Sequence, residues 1–232
     1  MGIIPARSGS KGIKNKNIAD LNGHPLIYYT IKEALKSTML GRTVVSTDSP
    51  KIAEISRSFD AEVPYLRPEH FATDTARTID AVIDILEYLK NSENYTPDLI
   101  TLLQPTAPLR KAGHIDQAIN LLLSGTADSL VSLCKLEEPH PYKVKKIVDQ
   151  NVKPFINGTT SSGPRQLMPE AYRLNGALYI AYTKILYEHK SFFGSKVMPY
   201  IMDANESVNI DTPLDLKLAE LLLNETDQSF KT

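Results

Sequence analysis

From the N-terminus to Cys134, short apolar runs alternate with segments whose apolar residues recur every three or four positions. Helical spacing is seen at Ile27, Ile31, Ala34 and Leu35, at Ile79, Val82, Ile83, Leu86 and Leu89, and at Ile115, Ala118, Ile119, Leu122 and Leu123. Between these stripes lie strand candidates at Ile3 and Ile4, Thr43 to Thr47, Val63 to Leu66, Leu99 to Leu103 and Leu130 to Cys134. Nearly continuous apolar strands separated by amphipathic helices predict an α/β fold with a mostly parallel sheet covered on both faces. The pattern resumes with GALYIAY (Gly176 to Tyr182) and VMPYIM (Val197 to Met202), and closes with a helix striped by Leu214, Leu218, Leu221 and Leu222. The expected organisation is one three-layer domain over residues 1–232.

From Glu137 to Arg173 the alternation breaks. Five of the fifteen prolines fall between Pro139 and Pro169, with Lys143, Lys145 and Lys146 among them. A structureless stretch of roughly 35 residues is unusual inside a compact domain. The segment is therefore read as an inserted arm that packs on a second subunit.

A length of 232 residues with 42% hydrophobic composition suits one large domain. The net charge of −1 and pI near 6.5 argue against a general nucleic-acid or membrane binder. A single cysteine excludes an internal disulfide framework. With neither a signal-peptide pattern nor an apolar span of about 18 residues, a cytoplasmic protein is expected.

On this balanced background the opening IIPARSGSKGIKNKN stands out. Arg7, Lys11, Lys14 and Lys16 leave the carboxyl end of a buried strand, the place where open α/β sheets bind ligands. Gly9, Ser10 and Gly12 allow backbone N–H groups to turn toward an anion, and the cations add charge at its rim. The spacing is that of neither a P-loop nor G-x-G-x-x-G. A polyphosphate is the expected ligand.

Polar residues also fall where other strands end: Asp48, Arg67, Gln104, and Asn209 with Asp211. Asp211 offers the hard oxygens that Mg²⁺ takes when it binds with a nucleoside triphosphate, and it is equally placed to cap the helix from Pro213. The five histidines show no zinc spacing, no G-x-S-x-G marks a nucleophile, and Cys134 lies within an apolar strand. The inventory suits phosphoryl or nucleotidyl transfer, where positioning and charge neutralisation do most of the catalysis.

IIPARSGSKGIKNKNI, LLQPTAPLR, RQLMPEAYRLNGALYI and IDTPLDL, in that order, resemble the CMP-sialic acid synthetases, or acylneuraminate cytidylyltransferases. The resemblance spans essentially the whole chain and implies a fold of the nucleotide-diphospho-sugar transferase type. It implies that Arg7, Ser10, Lys11 and Lys16 hold the triphosphate, and that Asn17, Arg67 and Thr78 surround the cytosine and ribose. It implies a sugar-acid pocket lined by Gln104, Arg165 and Tyr179, metal binding at Asn209 and Asp211, and catalytic roles for Lys16, Arg7 and Asp211. The Glu137 to Arg173 insertion matches a dimerisation arm, which makes Arg165 and Arg173 candidates for acting across a homodimer.

The implied reaction is attack of the anomeric hydroxyl of a nine-carbon 2-keto-3-deoxy sugar acid on the α-phosphorus of CTP, with Mg²⁺. RQLMPEAYRLNG resembles the bacterial legionaminate enzymes. Alternatives are a Kdo-type cytidylyltransferase acting on an eight-carbon acid, or a catalytically silent nucleotide-binding module. Asn209 departs from the Asp-x-Asp of many family members and supplies a neutral oxygen where they have a carboxylate.

Overall fold

Ile3 and Ile4, adjacent in the first strand and both without exposure, send their side chains into opposite apolar layers. Period-two alternation in a strand covered on both faces demands this, and each buried isoleucine contributes about 1.5–3 kcal/mol. A computed structural model describes residues 1–10, 12–158 and 168–229, with the side chains of the last helix described as far as Glu225.

In chain order the elements are β1 (Gly2–Pro5), a small hairpin of β2 (Asp20–Leu21) and β3 (His24–Pro25), α1 (Leu26–Lys36), β4 (Thr43–Ser46), α2 (Pro50–Ser58), α3 (Thr78–Glu93), β5 (Leu99–Leu102), α4 (Ala112–Ser124), β6 (Ser129–Lys135), a second hairpin of β7 (Lys145–Val148) and β8 (Asn151–Pro154), β9 (Tyr172–Tyr182), α5 (Thr183–His189), β10 (Val197–Met202) and α6 (Pro213–Ser229). The six-stranded sheet runs β10-β6-β9-β5-β1-β4. β1 is parallel to β4 and β5, β10 is parallel to β6, and β9 alone runs antiparallel to its two neighbours. Because β9 reverses between them, the carboxyl ends of β1, β4, β5, β6 and β10 share one edge.

One layer packs α1, α2 and α4 on the sheet through Ile27, Ile31, Ile52, Ile115 and Leu122. The other packs α3 and α5 through Val82, Ile85, Leu89, Ile185 and Leu186. The three-layer, mostly parallel sheet expected from the alternation is the observed architecture. At the shared edge a smaller cluster of Leu21, Leu26, Leu109, Val208, Ile210 and Ala219 seats α6 against the loops.

Three expectations need correction. Val63 to Leu66 forms no strand; the segment makes only isolated bridges, Val44 to Glu62 and Thr47 to Leu66. Pro64 lacks the N–H that a ladder needs. The leucine stripe of α6 is out of phase: Leu214, Leu218 and Leu221 face solvent, while Leu216, Ala219, Leu222 and Leu223 pack inward. The insertion ends sooner than Arg173, since Tyr172 and Arg173 already pair with Lys135 and Cys134 in the sheet. Its described portion carries β7 and β8, which pair only with each other.

Candidate active site

The basic loop closes on itself through Asn17, which is buried and donates its side-chain amide to the Arg7 carbonyl at 2.9 Å. Asn15 takes a left-handed turn before the single helical turn Lys16–Ile18, and Ile13 packs into the small apolar cluster beneath. Gly12 is required by proximity: a Cβ there would stand 2.2 Å from the Asp211 carbonyl oxygen. The loop after β1 and the loop after β10 therefore touch through backbone, which brings their polar side chains together.

Lys16 spans that contact. Its Nζ donates to the Ile210 carbonyl and to Asp211 Oδ1, both at 2.9 Å. The other carboxylate oxygen of Asp211 accepts the Asn209 amide N–H at 2.8 Å. The side chain of Asp211 remains 66% exposed and faces the cavity. It does not cap α6: Thr212 and Asp215 exchange those hydrogen bonds, Asp215 Oδ2 accepting from the Thr212 N–H and Thr212 Oγ1 accepting from the Asp215 N–H. Burial opposes ionisation of Asp215, but its bonds from Thr212 and from the Asp211 N–H, with the charge of Lys16, hold its carboxyl below the usual value.

Across the cavity, Asp48 accepts the Ser8 N–H at 2.8 Å and the Ser8 hydroxyl, and stands 3.9 Å from Arg67. Arg67 is buried, with Nε lacking a hydrogen-bond partner. Burial lowers its pKa, Asp48 resists, and the nearby charge of Arg7 lowers it further. Arg7 pairs with Asp74 at 2.8 Å.

β9 backs two of the residues that line the cavity, Gln104 and Asn209. Gly176 has a φ of +73°, and a Cβ there would meet Gln104 Oε1 at 2.7 Å and Asn209 Oδ1 at 3.1 Å. That Asn209 oxygen is buried with no hydrogen-bond partner. Arg110, 1% exposed, fastens Gln104 to β9 by donating Nη1 to the Ala177 carbonyl at 2.8 Å and to the Gln104 carbonyl at 3.3 Å. Burial holds its guanidinium below the ordinary arginine value, with Glu33 opposing.

The resulting cavity, about 590 Å³, is lined by Arg7, Ser10, Lys16, Asn17, Arg67, Thr78, Gln104, Asn209 and Asp211 of the residues singled out in the sequence. Lys11 and Arg165 lie outside the described residues. Tyr179 is not among the lining residues; its ring packs 6.2 Å from Phe192 and 6.4 Å from Phe193, and burial raises its pKa. Arg173 donates to the Ser207 carbonyl at 3.0 Å and is not among the lining residues. Asp74, Phe71 and Thr73 line the cavity and Arg110 braces it, and sequence reasoning passed over all four. Arg110 closes the quoted PTAPLR motif, which was a usable signal; the others follow Arg67 in a segment without periodicity.

Two guanidinium groups, with an ammonium in contact with an exposed carboxylate, form a site that can take a polyphosphate with a divalent cation. Among the described residues no group of three or more His, Cys, Asp or Glu side chains could hold a metal ion. No helix is long and apolar enough to cross a membrane among the described residues.

Residues 1–228 match the family model described as Cytidylyltransferase. The CMP-N,N'-diacetyllegionaminic acid synthase of Legionella pneumophila is 36% identical over 233 residues, covering 96% of this chain and 95% of that protein. The N-acylneuraminate cytidylyltransferase of Escherichia coli is 36% identical over 220 residues, which is 94% of this chain and 51% of that longer protein. Among solved structures, CMP:2-keto-3-deoxy-manno-octonic acid synthetase complexed with CTP superposes with a TM-score of 0.72 at 16% identity, covering 97% of this chain and 98% of the other. That last likeness is one of fold.

Proposed function

Since the chain belongs to the cytidylyltransferase family, we propose that it transfers CMP from CTP to the anomeric hydroxyl of a nine-carbon 2-keto-3-deoxy sugar acid, releasing pyrophosphate. The observation that carries this reading is one cavity that gathers Arg7, Arg67 and the Lys16–Asp211 pair with the amides of Gln104 and Asn209. The cations suit the triphosphate. The neutral amide groups suit a polyhydroxylated acceptor.

In the reaction, the anomeric oxygen forms a bond to the α-phosphorus as the bond from that phosphorus to the bridging oxygen of the β-phosphate breaks. The hydroxyl proton leaves to solvent, and pyrophosphate carries away the negative charge. Lys16, held by Ile210 and Asp211, stands ready to neutralise that charge without moving far, while Arg7 and Ser10 hold the phosphate chain. Arg67, fixed by burial beside Asp48, the buried Asn17 and the exposed Thr78 form the nucleoside end.

The residues fit Mg²⁺, which takes one or two carboxylates and fills its remaining positions with phosphate oxygens and water. Asp211 would hold it, and the ion would offset charge on the reacting phosphoryl oxygens. Asn209 serves Asp211 through its N–H, so its part is to orient the carboxylate. Arg165 and Arg173 are assigned to the acceptor's carboxylate.

The hairpin β7–β8 leaves Ile147 79% and Val152 71% exposed at paired positions, with Phe155 beyond them. An apolar ribbon of this kind supports a homodimer in which each arm covers the partner's site. We place the enzyme in the cytoplasm, with CTP. The acceptor is assigned to the legionaminate type, in keeping with the named activity of the Legionella relative. Pyrophosphate release with CTP and a panel of legionaminate-, neuraminate- and pseudaminate-type acids, with Kdo alongside, tests the reading. Highest kcat/KM on a legionaminate-type acid is expected; preference for Kdo would move the assignment to the eight-carbon acids, and no release with any acid would defeat it.

A further inference from the structure

Transfer of CMP uses the cations of the cavity and the carboxylate of Asp211, yet the same cavity holds a second acid, Asp74. Asp74 lies between the helical turn Glu69–Phe71 and α3, on a segment tightened by hydrogen bonds from the Ala76 N–H to the Thr73 carbonyl and hydroxyl. Its Oδ1 is 2.8 Å from Arg7 Nη2, and Arg7 Nη1 donates to the Ala72 carbonyl at 3.4 Å. The charge of Arg7 is also felt by the buried guanidinium of Arg67. Two guanidiniums so placed each have an anion: Asp48 stands beside Arg67, and Asp74 beside Arg7.

The Asp48 pair is fixed by burial and by two bonds from Ser8. The Asp74 pair is different, with side chains 33% and 45% exposed at the cavity, so it can open without stranding a charge away from water. A carboxylate on a guanidinium makes the same charge-assisted N–H···O contact that a phosphate oxygen makes. Asp74 thus holds the position on Arg7 that a phosphate oxygen needs.

We infer that Asp74 is an internal competitor for Arg7: the triphosphate displaces it on binding, and it returns to Arg7 as pyrophosphate leaves. The effect is to weaken nucleotide and pyrophosphate in their ground states and to hasten product departure. This deepens the proposed function and rests on its assignment of Arg7 to the phosphate chain.

Calorimetric titration of pyrophosphate with Mg²⁺, and separately of CTP with Mg²⁺, into the wild type, Asp74→Asn and Asp74→Ala in the absence of any sugar acid tests the inference. Asp80→Asn is the control, because it removes the same charge from the exposed Arg77–Asp80 pair outside the cavity. Both Asp74 variants are expected to bind pyrophosphate about two- to fivefold more tightly, the range of an exposed ion pair, with Asp80→Asn at the wild-type value. Equal or weaker binding by the Asp74 variants, an equal gain in Asp80→Asn, or no pyrophosphate binding by any of the proteins would overturn it. Tight pyrophosphate binding by a wild type that turns over no sugar acid would defeat the proposed function and leave this inference standing.

Discussion

The side-chain N–H of Asn209 donates to Asp211 at 2.8 Å, while the oxygen of the same amide is buried without a partner over Gly176. The amide therefore aims one carboxylate and brings no second charge. Removing Asp211 takes a full anion from the cavity, so Asp211→Ala should lower turnover on the order of a hundredfold or more. Asn209→Ala should cost far less and chiefly raise the Mg²⁺ concentration giving half-maximal rate. Asn209→Asp should lower that concentration, because two adjacent carboxylates repel until a dication joins them. Rate against Mg²⁺ for the three variants checks the ordering, and near-normal Mg²⁺ dependence in Asp211→Ala would contradict it.

Lys16 bridges the two loops, and the proposed mechanism sets it beside the departing pyrophosphate. Lys16→Ala should lower kcat by roughly 10²–10³ at saturating CTP, the cost of losing one preorganised charge-stabilising donor. The KM for the sugar acid should stay within about twofold, since the acceptor end of the cavity is untouched. Steady-state kinetics with each substrate varied separates the two effects.

Gly12 and Gly9 offer a matched comparison. A methyl group at position 12 would collide with the Asp211 backbone, whereas position 9 has nothing within 4 Å. Gly12→Ala should push the basic loop away from Asp211 and remove most CTP turnover. Gly9→Ala should retain it within about twofold. Because both glycines are exposed, denaturant midpoints should move little in either variant.

The βα order was legible because α1, α3 and α4 bury most of a long stripe against the sheet, although Leu35 and Leu123 of those stripes are exposed. α2 offers few apolar positions, although the Ser49 cap and Pro50 mark its start, and α5 is only seven residues long. α6 is leucine-rich on several faces, so periodicity could not choose between Leu218 and Ala219 as the inward position. Cations and amides just after strands were legible as a site because parallel strands end on one edge. Which sheet face Tyr179 meets was not legible, because that depends on register and direction, and β9 runs against its neighbours. Asp74 escaped notice because nothing in the local pattern says that its segment folds back onto Arg7.

The β7–β8 hairpin gives a test of assembly. Ile147→Glu together with Val152→Glu should convert a dimer to a monomer in light scattering, with little change in the unfolding midpoint, since both positions are exposed within the chain. A wild-type monomer, or a dimer indifferent to both changes, would remove the arm from assembly.

The central claim is that the acceptor's anomeric oxygen attacks the α-phosphorus of CTP in this cavity. Mass spectrometry of the product formed from CTP and a nine-carbon acid carrying ¹⁸O at the anomeric hydroxyl tests it most directly. The expected result is a CMP-sugar that retains the label in its phosphoester bridge, with unlabelled pyrophosphate. Free CMP without sugar attached, or a CMP-sugar whose bridging oxygen is unlabelled, would contradict the account.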